Sequence, residues 1–326
     1  MIRVSELTKL IKRRSRIDTK RAFFCRMLRF GIIATHLPLR ELKAMSLRQN
    51  GYHYIVKNIQ GSDMLLNPND GGISTDLLLD GIREPLIGAK YRELLKEGMT
   101  VYDIGANIGY YALQEASLVG KSGHIYAIEP VSENSRILEL NIALNRYENV
   151  EVYNKAIGEC QRVGEINISP MSNMCSMVKR EGYREYSGER LVEVDTVDNF
   201  MRGKRPPDVI RMDTEGYEVQ IVQGMEQLLK SKKPLILFIE IHFDVLLDSV
   251  IPMLSTLKKY GFEIKAAAYE PHSATRHSIF YPLVNLCEKG MGASGYVDVK
   301  IDGLINKRCF TSGQVENMEV IFEREL

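Results

Sequence analysis

The sequence predicts an α/β fold: a mostly parallel, seven-stranded sheet with helices on both faces, preceded by a basic helical arm. Three observations carry the prediction. Val101-Tyr102-Asp103-Ile104 is a strand apolar on both faces, as a parallel strand covered by helices must be, and Tyr110 to Ala116 takes up helical composition behind it. Between them, Gly105-Ala106-Asn107-Ile108-Gly109 spaces two glycines for a tight turn: Gly105 lets the chain reverse, and Gly109 lets helix and strand pack closely or a ligand approach. A second acid, Glu129, closes the strand His124 to Ile128, at the tip where a doubly wound sheet binds ribose hydroxyls.

In chain order, residues 1 to 50 form one or two helices, with Leu7, Leu10 and Ile11 beside the cluster Lys12-Arg13-Arg14-Ser15-Arg16. This arm holds 13 Lys and Arg against 3 Asp and Glu, so it carries +10 and leaves −9 for the remainder of a chain whose net charge is +1. Three readings stand: a solvated basic face packed on the body, a peripheral contact with an anionic membrane through Phe23, Phe24, Met27, Leu28 and Phe30, or a guide for nucleic acid. Residues 51 to 98 lead into the main domain, 99 to 326. Tyr52 to Lys57 and Met64 to Leu66 read as a hairpin through Gly61-Ser62-Asp63. Asn67 to Gly72 breaks the chain, and Ser74 is placed to cap a helix through Leu77 to Leu79. A second helix runs from Pro85 to Lys96 and stops at Gly98.

Beyond Glu129-Pro130 a helix spans Glu133 to Asn145, and Val150 to Tyr153 is the third strand. The loop Lys155-Ala156-Ile157-Gly158 at its end is expected to wall the adenine side of a nucleotide site. Residues 169 to 190 are polar and read as a lid or as a disordered insertion. Asp208 to Asp213 is the fourth strand, with Thr214 to Glu218 opening a helix, and Pro234 to His242 is the fifth. Gly261 to Ala266 and Asn317 to Phe322 complete the sheet, and 271 to 315 is a second candidate cover.

Hydrophobic content of 44% and charged content of 26% belong to a soluble globular chain. Five cysteines without a C-x-x-C pair argue for reduced thiols in a cytoplasmic protein, against a disulfide framework or a zinc site. The longest apolar stretch, Ala22 to Leu39, is interrupted by Arg26, Arg29 and His36, so neither a membrane span nor a secretion signal is expected.

The glycine loop separates two cofactor classes. A dinucleotide site wants G-x-G-x-x-G to hold a pyrophosphate. Here the spacing is Asp103-x-Gly105-x-Asn107-x-Gly109, and a carboxylate ahead of the loop repels pyrophosphate but suits the cationic methionine end of S-adenosyl-L-methionine.

From Asp76 to Ile241 the motifs resemble, in order, those of the FkbM-type methyltransferases. Gly81-Ile82-Arg83-Glu84-Pro85 is similar to that family's G-x-x-E-P, Asp103 to Tyr111 to its D-x-G-A-N-x-G-Y-Y, and Ala127-Ile128-Glu129-Pro130 to its A-F-E-P. Asn141 to Asn145 resembles N-x-x-L-N, and Arg211 to Glu218 resembles K-I-D-V-E-G-x-E, with Arg211 in place of the usual lysine and Thr214 in place of valine. Val197-Asp198-Asn199 stands where L-D-D is common. The resemblance implies a Rossmann-like class I fold, S-adenosylmethionine as cofactor, and O-methylation of a hydroxyl on a small molecule or sugar-containing metabolite. Asp103, Gly105, Ala106, Asn107, Gly109, Glu129, Pro130 and Ala156 are then the expected cofactor residues.

Methyl transfer needs nucleophile, methyl and sulfur in line, and a group to accept the hydroxyl proton. The ends of strands four and five carry Asp213, Glu240 and His242, read as the catalytic candidates, with Asp213 first and His242 a base of near-neutral pKa. Glu215 and Glu218 bracket a helix start, which favours acids without any catalytic role. These acids and His242 are suited to Mg²⁺, but no ligand spacing demands a metal. Two other functions remain: a nucleic-acid methyltransferase, and a non-catalytic cofactor-binding scaffold at a membrane. Against nucleic acid stand the acidic body and the lack of an Asn/Asp-Pro-Pro-aromatic tetrapeptide after strand four.

Overall fold

The computed structural model describes residues 53–179, 186–269, 295–296, 299–306 and 317–325. The basic arm, with the membrane or nucleic-acid contact read into it, lies outside the described residues, as does most of the second cover at 271–315.

Ile55–Ile59 (β1) and Ser62–Leu66 (β2) form the expected hairpin, turned by Gln60 and Gly61 at positive φ. Ile73–Asp80 (α1) follows, and Asp70 rather than Ser74 holds its N-terminus. The Asp70 carboxylate accepts from Gly72 N at 3.0 Å and Ser74 N at 3.1 Å, because an acid placed before the first turn reaches the unpaired N–H groups that Ser74, already inside the helix, cannot. Pro85–Leu94 (α2) leads to Thr100–Ile104 (β3), Tyr110–Val119 (α3), His124–Ile128 (β4), Ser132–Asn145 (α4) and Val150–Tyr153 (β5).

The chain then leaves the main sheet. Ala156–Ile157 (β6), Arg162–Ile168 (β7) and Gly188–Asp195 (β8) make a small second sheet in the order β6-β8-β7, where the sequence reading assigned no strand, only a loop at 155–158 and a polar insertion at 169–190. One face of the β7–β8 hairpin meets water, leaving Val163 and Leu191 exposed, so it lacks the continuous apolar run that marks a covered strand. Residues 180–185 at its far end lie outside the described set.

Val197–Phe200 (α5), Val209–Met212 (β9), Glu218–Gln223 (α6), Glu226–Lys230 (α7), Leu235–His242 (β10), Phe243–Leu246 (α8) and Val250–Lys259 (α9) continue the alternation. Glu263–Tyr269 (β11), the two-residue Gly295–Tyr296 (β12), Ile301–Asn306 (α10) and Asn317–Arg324 (β13) end it. The main sheet runs β12-β11-β13-β10-β9-β3-β4-β5. Strands β5, β4, β3, β9 and β10 are parallel, whereas β13 pairs antiparallel with both β10 and β11. All seven expected strands are present, and β12 adds a short edge.

Alternation along the strands divides the core into two layers. Tyr102, Ile104, Leu237 and Ile239 face the layer that includes α6, α7 and α9. Val101, Ile125, Val209, Ile236 and Phe238 face α1, α2 and α3. The second face also receives Asp103 and Arg211, so charge is buried at the centre of the sheet beside the ends where a ligand would sit.

Candidate active site

A cleft with about 820 Å³ of empty space, part of it open to solvent, lies at the carboxyl ends of β3, β4 and β9. That is the crevice in which open parallel sheets bind ligands.

The turn after β3 forms one wall. Gly105 has φ 85°, and a Cβ there would lie 1.9 Å from the Asp213 carbonyl oxygen, so only glycine lets β3 and β9 come this close at their ends. Asn107 is also left-handed, with φ 50°, and its side chain explains why it is tolerated. Its Oδ1 accepts from Ile108 N at 2.8 Å and its Nδ2 donates to Ser172 O at 3.0 Å. Gly109 does not line the cleft. It packs α3 against α4, where a Cβ would meet Leu138 Cδ1 at 2.6 Å.

Glu129 stands at the tip of β4 beside the cleft, as expected. Its Oε2 accepts from Asn107 N at 2.9 Å and its Oε1 from Val131 N at 2.8 Å. Burial pushes its pKa up to about 7, against the opposing hydrogen bonds from those two backbone groups. Pro130, Ala156, Ile128, Ile157 and Ile166 make an apolar wall on the same side. The tip of the β7–β8 hairpin covers this end: Ser172 N and Oγ donate to the Asp70 carboxylate at 3.0 and 2.7 Å, and Asn173 Oδ1 accepts from Ile73 N at 3.1 Å. Cys175 lies beneath it, its thiol pushed up to about 11, chiefly by burial.

Asp103 corrects the expectation made for it. It is fully buried behind the loop and does not line the cleft. Its Oδ1 accepts from Arg211 Nη1 at 3.0 Å, and Arg211 Nη2 donates to Asp213 Oδ2 at 2.8 Å, with the guanidinium 4.0 Å from the centre of the Tyr111 ring. Asp103 therefore acts through Arg211 on Asp213, because a residue on the sheet's second face points into the helix layer and not out of the strand's end.

The other half of the cleft is polar. Asp213 and Glu215 line it after β9, facing Arg83 and Glu84 from the segment between α1 and α2. Glu84, at φ 43°, accepts from Tyr111 OH at 2.8 Å and pairs with Arg83 at 3.2 Å. Tyr110 OH accepts from Arg83 N and donates to Arg83 O, which fixes that turn against α3. The reading of single motifs missed Arg83, Glu84, Tyr111 and Arg211 as lining residues; their signal was that three motifs, Gly81 to Pro85, Asp103 to Tyr111 and Arg211 to Glu218, each contribute to one cleft.

His242 and Glu240 do not line the cleft. The imidazole is buried, with Nδ1 3.2 Å from Glu218 Oε1, Nε2 3.3 Å from Glu215 Oε2 and Nε2 3.7 Å from Glu240 Oε1. Burial alone would lower its pKa, but these three carboxylates together hold it well above the ordinary histidine value. An imidazole that keeps its proton has no lone pair for another, which overturns the expectation of His242 as a near-neutral base. Glu240 is likewise pushed up, by burial first and then by Asp213, and it accepts from Asn317 Nδ2. Glu218 is a cap: its Oε1 accepts from Thr214 N and Oγ1 and from Gly216 N, at 3.1 to 3.2 Å.

Residues 103–264 match the model of the methyltransferase FkbM domain. The chain belongs to the FkbM methyltransferase family. Its sheet, with the last strand antiparallel between the fifth and sixth, has the Rossmann-like class I arrangement. Among curated relatives, the hexuronic acid methyltransferase AglP of Haloferax volcanii is 27% identical over 179 residues, 51% of this chain and 65% of that protein. A protein-L-isoaspartate O-methyltransferase of Methanothrix thermoacetophila is 41% identical over 58 residues, 18% of this chain and 28% of its own length. Both matches therefore span less than two thirds of the relative. The crystal structure of methyltransferase FkbM from Methylobacillus flagellatus KT superposes with a TM-score of 0.36 at 20% identity, over 53% of this FkbM-family chain and 41% of that one. No helix among the described residues is long and apolar enough to cross a membrane.

Proposed function

We propose that this FkbM-family enzyme transfers a methyl group from S-adenosylmethionine to a hydroxyl of a sugar-containing small molecule. The observation that carries the reading is a single cleft with two unlike halves. One is apolar and ends in Glu129; the other is polar and ends in Asp213, Glu215, Arg83 and Glu84. The first half fits the cofactor: a carboxylate for ribose hydroxyls beside an apolar wall for adenine, with Gly105, Ala106 and Asn107 presenting backbone. The second fits an acceptor dense in hydroxyls, and the likeness to a relative named for hexuronic acid supports a sugar. The isoaspartate enzymes match only 58 to 78 residues of this chain, too little to favour carboxyl methylation.

When bound, S-adenosylmethionine supplies a methyl group on a positively charged sulfur. Asp213 is the residue we assign to the acceptor's hydroxyl proton. Burial raises its pKa, Arg211 opposes this, and the net shift is upward, which makes the carboxylate a stronger base than an exposed aspartate. Arg211 fixes its orientation, and Asp103 fixes Arg211. Tyr111, under the guanidinium, keeps this group in place without adding charge.

The test is methyl transfer from labelled S-adenosylmethionine to a panel of neutral sugars, hexuronic acids and their nucleotide-linked forms, with calorimetric titration of S-adenosylhomocysteine alongside. Asp213→Asn is expected to keep S-adenosylhomocysteine binding and to lose about 10²–10⁴-fold in turnover. Cofactor binding without transfer to any hydroxyl acceptor would instead favour the scaffold reading.

A further inference from the structure

We infer that Asp213, Glu215 and His242 form a binding site for a divalent cation of the Mg²⁺ or Mn²⁺ type, on the polar floor of the cleft. Each offers one ligand atom, and these atoms lie within 4.8 Å of one another. Two ligands on opposite sides of an ion with bonds of about 2.1 Å stand about 4.2 Å apart, so small side-chain rotations close the set. Two carboxylates and one imidazole suit a hard ion that also accepts nitrogen, which describes Mn²⁺ well and Mg²⁺ adequately. The three residues come from the ends of adjacent parallel strands, β9 and β10, and Asp213 and Glu215 line the cleft. An ion held there faces the acceptor side, and when bound it would lower the acceptor hydroxyl's pKa, so that Asp213 serves there as its ligand and as the base only without it.

Two further observations favour an ion over a self-neutralised cluster. The first is the support of His242. Its Nδ1 is 3.2 Å from Glu218 Oε1, and Glu218 is itself fixed by Thr214 and Gly216. A carboxylate that accepts a hydrogen bond from Nδ1–H fixes the tautomer with its lone pair on Nε2, the arrangement found behind metal-bound histidines. Nε2 is the nitrogen directed at Glu215 and Glu240. The second is an excess of buried acceptor oxygen. Glu218 is completely buried and its Oε2 has no hydrogen-bond partner among the described residues. The His242 ring therefore faces Glu215, Glu218 and Glu240 at 3.2 to 3.7 Å, with Asp213 in the same cluster. On binding, the ion replaces the proton on Nε2, which is released to solvent.

The inference rests on the proposed active site for its position but not for its test. The probe is Mn²⁺, added to the full chain after chelator treatment and followed by electron paramagnetic resonance of the free ion. A single saturable Mn²⁺ is expected, with nitrogen coupling in the spin-echo spectrum of the bound ion that is lost in His242→Gln. Glu215→Gln should lose most of the binding, and Glu218→Gln, which supports His242 and the turn that carries Asp213 and Glu215, about 10–100-fold of the affinity. Titration with S-adenosylhomocysteine checks that each variant folds. Wild-type protein that binds S-adenosylhomocysteine but gives no saturable Mn²⁺, or binds it without nitrogen coupling, overturns the inference. So does Glu215→Gln with wild-type affinity. Failure of methyl transfer to sugars, with Mn²⁺ binding intact, would count against the proposed acceptor alone.

Discussion

Single residues decide how this cleft treats protons and backbone. With Glu129 titrating at about 7, its ionised form is the one that accepts hydrogen bonds from ribose hydroxyls. S-Adenosylhomocysteine should therefore bind about ten-fold more weakly at pH 6 than at pH 8, with a flat profile for Glu129→Gln, and calorimetry across that range decides it. Stability takes the opposite sign. A folded pKa raised above the ordinary value makes a contribution that is complete below about 4.5 and is lost as the pH rises through about 7. Glycine supplies a second contrast. Both glycines sit at positive φ, but Gly105→Ala also meets the Asp213 backbone and should cost about 3 kcal/mol or more, whereas Gly109→Ala meets the flexible end of Leu138 and should cost less; urea titration of the pair ranks them. The loop and Glu129 were legible because their chemistry is local in sequence. The state of His242 was not, since Glu215, Glu218 and Glu240 reach it from two elements that only the fold brings together.

At the scale of elements, the covered parallel strands announced themselves and the half-exposed hairpin did not. β10 is buried at every position, and its apolar run is unmistakable. β8 is exposed over most of its length and buried only at Val194 and Asp195, so its composition resembled a loop. What makes that hairpin part of the site is one side chain. Asp70 starts α1 and holds Ser172 by two hydrogen bonds, joining the segment before the sheet to the cover over the cofactor end. Asp70→Ala leaves the N–H groups of Gly72, Ser74 and Ser172 without their acceptor. The expected loss is about 1–3 kcal/mol, with faster amide exchange at residues 172–176 and weaker S-adenosylhomocysteine binding. Unchanged exchange there would show that the hairpin is held by other contacts.

Over the whole molecule, the two central strands β3 and β9 are tied by charge as well as by hydrogen bonds. Arg211 stands between Asp103 and Asp213 with almost no exposure, and the family resemblance puts lysine at this position more often. Lysine cannot span both acids with a planar fork. Arg211→Lys should fold with a lower melting temperature, and Arg211→Met, which strands a buried aspartate, should lose about 3–5 kcal/mol in chemical denaturation. Sequence patterns placed Asp103 and Arg211 in separate motifs, 108 positions apart, and nothing local joined them.

The position of β13 has a consequence for synthesis. The sheet's last strand in the chain is an interior strand in space, paired along Leu235 to His242 on one side and with β11 on the other. A nascent chain that has emerged as far as residue 316 therefore exposes an open edge on β10 and has no partner for Glu240 from Asn317. Such a chain must wait for the strand Asn317–Arg324 before the cleft can close, and in that interval it is prone to pair with its neighbours. Chains ended at residue 316 should be recovered as aggregates without S-adenosylhomocysteine binding, and chains stalled there on the ribosome should depend on a chaperone.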